Sequence, residues 1–299
     1  MTDNKDRIIL YWKKDASGRY FLSPGGKTGR LDGPELEVVI KMSEEETENQ
    51  MTRTTQTTRT IRAARTKTVV SEDRGSGGNG PEARVFRVFQ QKAGTYGAYS
   101  EYMTRHGCAC CSLTTLLAAY VPQYLDLRPD ETIARVEREH FDEKVWQKNY
   151  SRHIARQMPV SLYGISRILT DYQVPHRYVG AFADDEAMEE IGAHLRSGRP
   201  VVVETSRMKR ENGRIVRWFD KRFAGSYHTM ILLGEDESGR VIFTDSATRE
   251  WSGDWQRLKK AELSDLLSYM FPQRNTEDTH VYFSRRRNTG GYILVTVQP

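Results

Sequence analysis

Apolar residues follow strand and helix periods in separate parts of the chain. Short alternating or continuous apolar runs predict strands over residues 8–12, 19–22, 36–42, 83–91, 201–204, 229–234 and 240–244. Apolar residues at helical spacing predict helices over residues 109–121, 130–140, 162–172, 184–197 and 261–271. The segments HVYFS and YILVTV close the chain as strands. Since helices precede mostly antiparallel strands, the predicted fold class is α+β.

The region before residue 82 has a different composition. Residues 8–12 and 19–22 predict a hairpin, whereas residues 51–68 are rich in Thr and residues 71–81 have the composition of a flexible linker. A length of 299 residues allows two domains. We therefore predict an N-terminal region over residues 1–82 and a second domain over residues 83–299.

The charge of the chain is concentrated in one segment. The net charge is +5, and residues 51–68 carry five basic side chains and no acidic one. The rest of the chain is close to neutral, which argues against a body that binds nucleic acid. We interpret residues 51–68 as a tether; contact with an acidic partner or nucleic acid, or removal as a pro-segment, are the alternatives.

Three features of the sequence bear on localisation. No window approaches the ~20 apolar residues of a membrane helix, so no membrane span is predicted. The charged N-terminus is unlike a secretory signal. Cys108, Cys110 and Cys111 lie within four positions, which is unsuitable for a disulfide framework. These features predict a cytoplasmic protein.

Cys108 is the first candidate for chemistry. It follows Gly107 and stands just before a predicted helix, where the helix dipole and free N–H groups favour a reactive thiolate. The alternative is a small buried apolar residue. A metal site made of the three cysteines and His106 is less favoured, because structural zinc takes ligands from two separated knuckles. We therefore predict no metal and no cofactor, and interpret Cys110 and Cys111 as packing residues.

A nucleophilic cysteine needs a base, and His228 is the best placed of the seven histidines. His228 opens the strand over residues 229–234, and the partner strand over residues 240–244 ends at Asp245. Pairing Gly234 with Arg240 would place His228 opposite Asp245 or Ser246, close enough for the side chains to meet. A strand start beside a turn, with no chemical role, is the alternative.

The segment GCACCSLTTLLAAY resembles the cysteine motif of papain-like cysteine peptidases of the bacterial class that processes bacteriocin leaders at double-glycine sites, and of their stand-alone relatives. The similarity continues in order through residues 84–285, with a helix, a Gly-x-Pro, and a His-strand-turn-strand-Asp block. The resemblance implies a papain-like fold, with a helical part carrying the cysteine and an antiparallel sheet carrying the other two residues. It also implies a cysteine peptidase or amidase acting on a peptide or protein substrate, with Cys108 as nucleophile, His228 as general base and Asp245 as the residue that orients the imidazole.

The sequence departs from the family pattern at three places. Where the family has a Gln about six residues before the cysteine, this chain has Tyr102. We predict the Tyr102 hydroxyl as the substitute oxyanion donor, with a backbone N–H as the alternative. Gln90 and Gln91 lie too far upstream unless the following loop folds back. Ala109–Cys110 replaces the family Gly-Pro, and Ser246 replaces a Pro after the aspartate.

Two alternatives to a hydrolase stay open. One is a peptide-binding module that has the same fold without catalysis, and the other is a transferase that passes an acyl or peptidyl group through the same thioester. If Cys108 cuts its own chain, Gly77–Gly78 in the linker is the expected site.

Overall fold

The computed structural model describes ten ranges of the chain: residues 7–28, 35–42, 84–92, 95–139, 160–206, 208–212, 214–217, 227–247, 258–272 and 290–296. The predicted basic segment over residues 51–68, the linker over residues 71–81 and the strand HVYFS lie outside these ranges.

A four-stranded sheet contains the N-terminal strands. Its members are β1 (Arg7–Lys14), β2 (Tyr20–Thr28), β3 (Glu35–Met42) and β4 (Arg84–Phe89). The order is β2-β1-β3-β4, with β1 and β3 parallel and the other pairs antiparallel. Gly18, at φ +86°, closes the turn between β1 and β2 in a conformation that side chains disfavour. The predicted hairpin and the strands at residues 36–42 and 83–91 are therefore present.

The division predicted at residue 82 falls inside this sheet. β4 pairs with β3 across it, and inward side chains of β1 and β3 share one apolar cluster with the helices that follow. Trp12 of β1 also lies against Gly234, where an added Cβ would stand 2.5 Å from Trp12 Cη2. Residue 82 therefore does not separate two independent cores.

The described helices are α1 (Ser100–Tyr120), α2 (Pro129–Glu139), α3 (Leu162–Asp171), α4 (Asp184–Arg196) and α5 (Leu263–Leu267). α1 begins nine residues before the predicted start, and α5 is shorter than the predicted 261–271. Gly107 lies inside α1 at a position with little room for a side chain. An added Cβ would come 2.8 Å from Met103 Cε and 3.1 Å from Gln91 Cβ. The glycine that suggested a helix boundary thus serves close packing of the helix. None of the described helices is long and apolar enough to cross a membrane.

A six-stranded antiparallel sheet forms the second half of the fold. Its strands are β5 (His176–Val179), β6 (Val201–Ser206), β9 (Tyr227–Glu235), β10 (Val241–Thr244), β11 (Leu258–Ala261) and β12 (Tyr292–Val295). The strand order is β11-β10-β9-β6-β12-β5. Between β6 and β9 the chain forms a separate hairpin of β7 (Met208–Glu211) and β8 (Arg214–Arg217).

Helices cover both faces of the six-stranded sheet. Val202 and Ile231 join a cluster with α1, α2 and α3, whereas Val203 and Met230 join a second cluster with α4 and α5. Successive strand residues point to opposite faces, so these continuous apolar runs supply both clusters. The predicted α+β class is confirmed, and the fold is consistent with a papain-like peptidase.

Candidate active site

His228 and Asp245 form a buried pair at one end of the six-stranded sheet. His228 is the second residue of β9, and Asp245 directly follows β10. Nε2 of His228 lies 2.9 Å from Oδ1 of Asp245, and both side chains are almost fully excluded from solvent. An ionised carboxylate only accepts hydrogen bonds, so a neutral imidazole must donate its Nε2–H here. Nδ1 then keeps a lone pair and can act as a base.

The pair forms with a different strand register from the one predicted. Gly234 pairs with Ile242 rather than Arg240, and the ladder shifts between Ile242 and Phe243. The turn lies one residue further along the chain than predicted: Glu235 pairs with Val241, and the Asp236 N–H donates to Arg240 O at 2.8 Å. β10 ends at Thr244, one residue before Asp245. Asp245 therefore reaches His228 from a turn, not from a directly opposed strand position.

A third buried side chain, that of Lys259, contacts this pair. Lys259 of β11 donates from Nζ to Oδ2 of Asp245, and the side chains of both are at most 1% exposed. Lys259 stands opposite Phe243 in the β10–β11 ladder. The Ala247 N–H also donates to Oδ1 of Asp245 at 2.8 Å. The sequence analysis missed Lys259, which is followed by a second lysine in LKKA and had no local signal.

Cys108 lies in the third turn of α1 and is buried. The prediction that it stands just before a helix is wrong, since α1 begins at Ser100. The effect of the helix dipole is strongest within the first turn, so it does little for this thiol. Ser112, one turn further along the same helix face, donates to Thr229 O at 3.3 Å. The face of α1 that carries Cys108 therefore lies against the start of β9.

The alternation of side chains along β9 determines the face of the sheet on which His228 lies. His228 pairs with Thr205 and shares its strand face with Met230, on the side of the α4–α5 cluster. Ile231 points to the other side, towards α1. The structure thus brings His228 and Asp245 together, whereas α1, which carries Cys108, packs against the strand face opposite to the one that His228 shares with Met230. The catalytic roles of all three remain predictions.

Gln91 connects the helix of Cys108 to the segment of Asp245. Its N–H donates to Ser246 O at 2.8 Å, and Ser246 Oγ donates to Gln91 Oε1 at 3.1 Å. Its Nε2 donates to Thr104 O at 3.4 Å, one helical turn before Cys108. Gln91 therefore lies between α1 and the segment that carries Asp245 and Ser246.

Tyr102 lies in a different environment from the one predicted for an oxyanion donor. It is buried, and burial raises the pKa of its hydroxyl well above the ordinary value, while the backbone of Val160 bonds to it. Six residues along an α-helix correspond to a rotation of about 240°. Tyr102 and Cys108 therefore point to different sides of α1.

The other two cysteines are packed in the apolar cluster beneath the sheet. Burial raises the pKa of both thiols, and Sγ of Cys110 donates to Pro129 O at 3.2 Å. All three cysteines are free thiols. Within the described ranges, no three His, Cys, Asp or Glu side chains are grouped so that they could hold a metal ion.

Comparison with known proteins assigns the chain to a family. The family model described as "Peptidase_C39 like family" matches residues 85–271, which is more than half of the chain. No curated protein and no solved structure matches the sequence. The matched segment contains all but the first residue of β4, together with α1, the pair of His228 and Asp245, and Lys259. The chain belongs to the Peptidase_C39-like family.

Proposed function

We propose that the protein is a cysteine peptidase or amidase that acts through Cys108, His228 and Asp245. The observation that carries the proposal is the buried hydrogen bond between His228 Nε2 and Asp245 Oδ1 at the strand end against which the helix of Cys108 packs. This hydrogen bond leaves Nδ1 as the basic nitrogen. Membership of a peptidase family supports the same chemistry.

The proposed reaction is acyl transfer in two steps. The thiol proton passes to Nδ1 of His228, and Sγ of Cys108 adds to the carbonyl carbon of a peptide or amide. The C–N bond then breaks as the leaving amine takes the proton from the imidazolium, which leaves a thioester. Water attacks the thioester and gives a proton to His228, and the acid departs while the thiol is restored. Asp245 holds the imidazole in the required tautomer throughout.

Gln91 is the better candidate for the oxyanion donor. Its amide group is fixed between Thr104, one turn before Cys108, and Ser246, the residue after Asp245. A side-chain N–H there could stabilise the negative oxygen of the tetrahedral intermediate, and loss of one such donor typically lowers the rate about 10²–10³-fold. We therefore propose Gln91 for this role and expect Tyr102 to contribute to packing.

A peptide-binding module without catalysis is the second candidate. It is favoured by the position of Cys108, buried inside α1 and without the dipole of a helix start. Such a module would need neither a thiolate nor a basic imidazole, so the two candidates differ in the chemistry of one thiol.

Digestion of a mixed peptide library, read by mass spectrometry, tests the proposal without choosing a substrate. We expect new peptide ends with the wild-type protein and none with Cys108→Ser. Cys110→Ser is the matched control, because a serine at this buried position of the same helix can still donate to Pro129 O. No cleavage by either protein would favour the binding module, and equal cleavage by Cys108→Ser and wild type would show that Cys108 is not the nucleophile.

Cleavage within the chain is a separate possibility for the same site. The double-glycine preference of the bacteriocin-leader class makes Gly77–Gly78 the proposed position. Intact mass measured over time should show loss of the N-terminal fragment from the wild-type protein only. A full-length mass that persists equally in wild type and in Cys108→Ala would exclude self-processing and leave peptidase activity towards other peptides unaffected.

A further inference from the structure

Lys259 is a buried cation beside the proposed catalytic pair. Lysine is almost never fully buried unless it is paired, and Lys259 directs its ammonium to Oδ2 of Asp245. The other oxygen, Oδ1, accepts the N–H groups of His228 and Ala247. Both oxygens of one carboxylate are therefore occupied by donors, and one donor carries a full charge.

The ammonium changes what Asp245 can do for the imidazole. A lone buried carboxylate strongly favours a protonated imidazole beside it, because opposite charges interact strongly away from water. Here the Lys259 ammonium already neutralises the charge of the carboxylate, so the carboxylate stabilises a protonated His228 less strongly.

The neighbouring elements bring few other titratable groups towards the pair among the described residues. Thr205, which pairs with His228 on β6, has no titratable group. On α1, Cys111 forms a side-chain hydrogen bond with Ser246, the residue after Asp245. Glu204 belongs to the other strand face and accepts the N–H of Gly290 at 2.9 Å. Among the described residues, the cation that donates a hydrogen bond to Asp245 is Lys259.

We propose that Lys259 is a positioning residue of the site: its ammonium fixes the Asp245 carboxylate and limits how strongly that carboxylate favours imidazolium at His228. This inference rests on the proposed function for its catalytic meaning, although its physical content can be measured without any substrate.

The test is the titration of the His228 imidazole, followed by NMR in the full chain with Cys108→Ala to remove the thiol. We compare that protein with the same chain carrying Lys259→Met. Lys260→Met is the matched control, since Lys260 is the next residue of β11, bears the same charge, and binds Asp236 instead of Asp245. Lys259→Arg keeps the charge at the buried position.

The proposal predicts that Lys259→Met moves the midpoint of the His228 titration upward by about one pH unit or more. Lys260→Met and Lys259→Arg should leave the midpoint near its starting value. An unchanged or lowered midpoint in Lys259→Met overturns the proposal, as does an equal rise in Lys260→Met. If Lys259→Met does not fold, Lys259→Gln, which removes the charge but can still donate to Asp245, is judged by the same outcomes.

The proposed function could fail while this inference holds, and this inference could fail while the proposed function holds. Absence of peptide cleavage leaves the His228 titration unaffected, whereas a flat response to Lys259→Met leaves cleavage by Cys108 intact.

Discussion

The buried ion pair between Lys259 and Asp245 gives the sharpest stability prediction. The two side chains are at most 1% exposed, so removing one partner leaves the other charge without its counter-charge in the interior. Breaking such a pair typically lowers the free energy of unfolding by about 3–5 kcal/mol. Asp245→Asn keeps an oxygen that can accept from His228 and Ala247, but it removes both the negative charge and the acceptor of the Lys259 ammonium.

The two single variants and the double variant form a thermodynamic cycle. We expect Asp245→Asn to lower the free energy of unfolding by about 3–5 kcal/mol. Lys259→Met should fall at the lower end of this range, because the carboxylate keeps two N–H donors. The double variant removes both charges, so its loss should be smaller than the summed losses by at least ~2 kcal/mol. A loss of about 3 kcal/mol corresponds to a fall in Tm of roughly 6–12 °C.

Urea unfolding followed by tryptophan fluorescence measures all four corners of the cycle. Lys260→Met is the control on the same strand. Its pair with Asp236 is partly exposed, and loss of such a pair costs about 1 kcal/mol or less. Losses that add without coupling, or a Lys259→Met variant as stable as Lys260→Met, would refute the reasoning that the buried charges depend on each other.

Two further predictions concern packing and pH. Gly234→Ala should lower the free energy of unfolding by about 1–3 kcal/mol, because its Cβ would stand 2.5 Å from Trp12 Cη2. The control Gly26→Ala, with no atom within 4 Å of the added Cβ, should change this free energy by about 0.5 kcal/mol or less. Equal urea midpoints for the two variants would contradict the close contact of β1 with β9. Burial lowers the pKa of His194 to about 4, so the unfolded chain takes up a proton first as the pH falls below ~6.5 and stability declines by up to about 3 kcal/mol by pH 4. His194→Gln, which can still donate to Val295 O, should show a smaller loss between these pH values, and an identical pH dependence would show that His194 is not responsible.

The elements that are most apolar were the ones that could be predicted from the sequence. The runs VVVE and TMILLG became β6 and β9, the central strands of the six-stranded sheet, because only strands buried on both faces carry such continuous apolar sequence. The four predicted helices from residue 109 to residue 197 also appear, with shifted ends. Local periodicity was sufficient for these segments because their burial is strong and regular.

The errors have identifiable physical causes. β11 was missed because two of its four residues are lysines, and the buried one, Lys259, is stabilised by a partner 14 residues away, in a loop. The start of α1 was misplaced because Gly107 marks close packing and not a helix boundary. The predicted strand register around His228 was wrong because the turn lies one residue further along the chain and a bulge shifts the ladder between Ile242 and Phe243.

The candidate site was predictable in part, and the remainder depended on long-range contacts. Spacing along the hairpin suggested that His228 and Asp245 could meet, and they lie within hydrogen-bond distance. Gln91 could not be assigned, since its contact with Ser246 spans 155 residues of sequence. Lys259 had no local signal of any role. Residues that act through a partner far along the chain are visible only once the sheet is assembled.

The most direct test of the proposed chemistry is the rate at which iodoacetamide alkylates each cysteine between pH 5 and 9, mapped by mass spectrometry. Cys110 and Cys111 are internal references, since burial raises the pKa of both thiols. We predict that Cys108 reacts fastest at pH 6, that His228→Ala abolishes this reactivity, and that His194→Ala does not. A Cys108 that reacts at pH 6 no faster than the two reference thiols, or equally fast without His228, would contradict the proposed activation of Cys108 by His228.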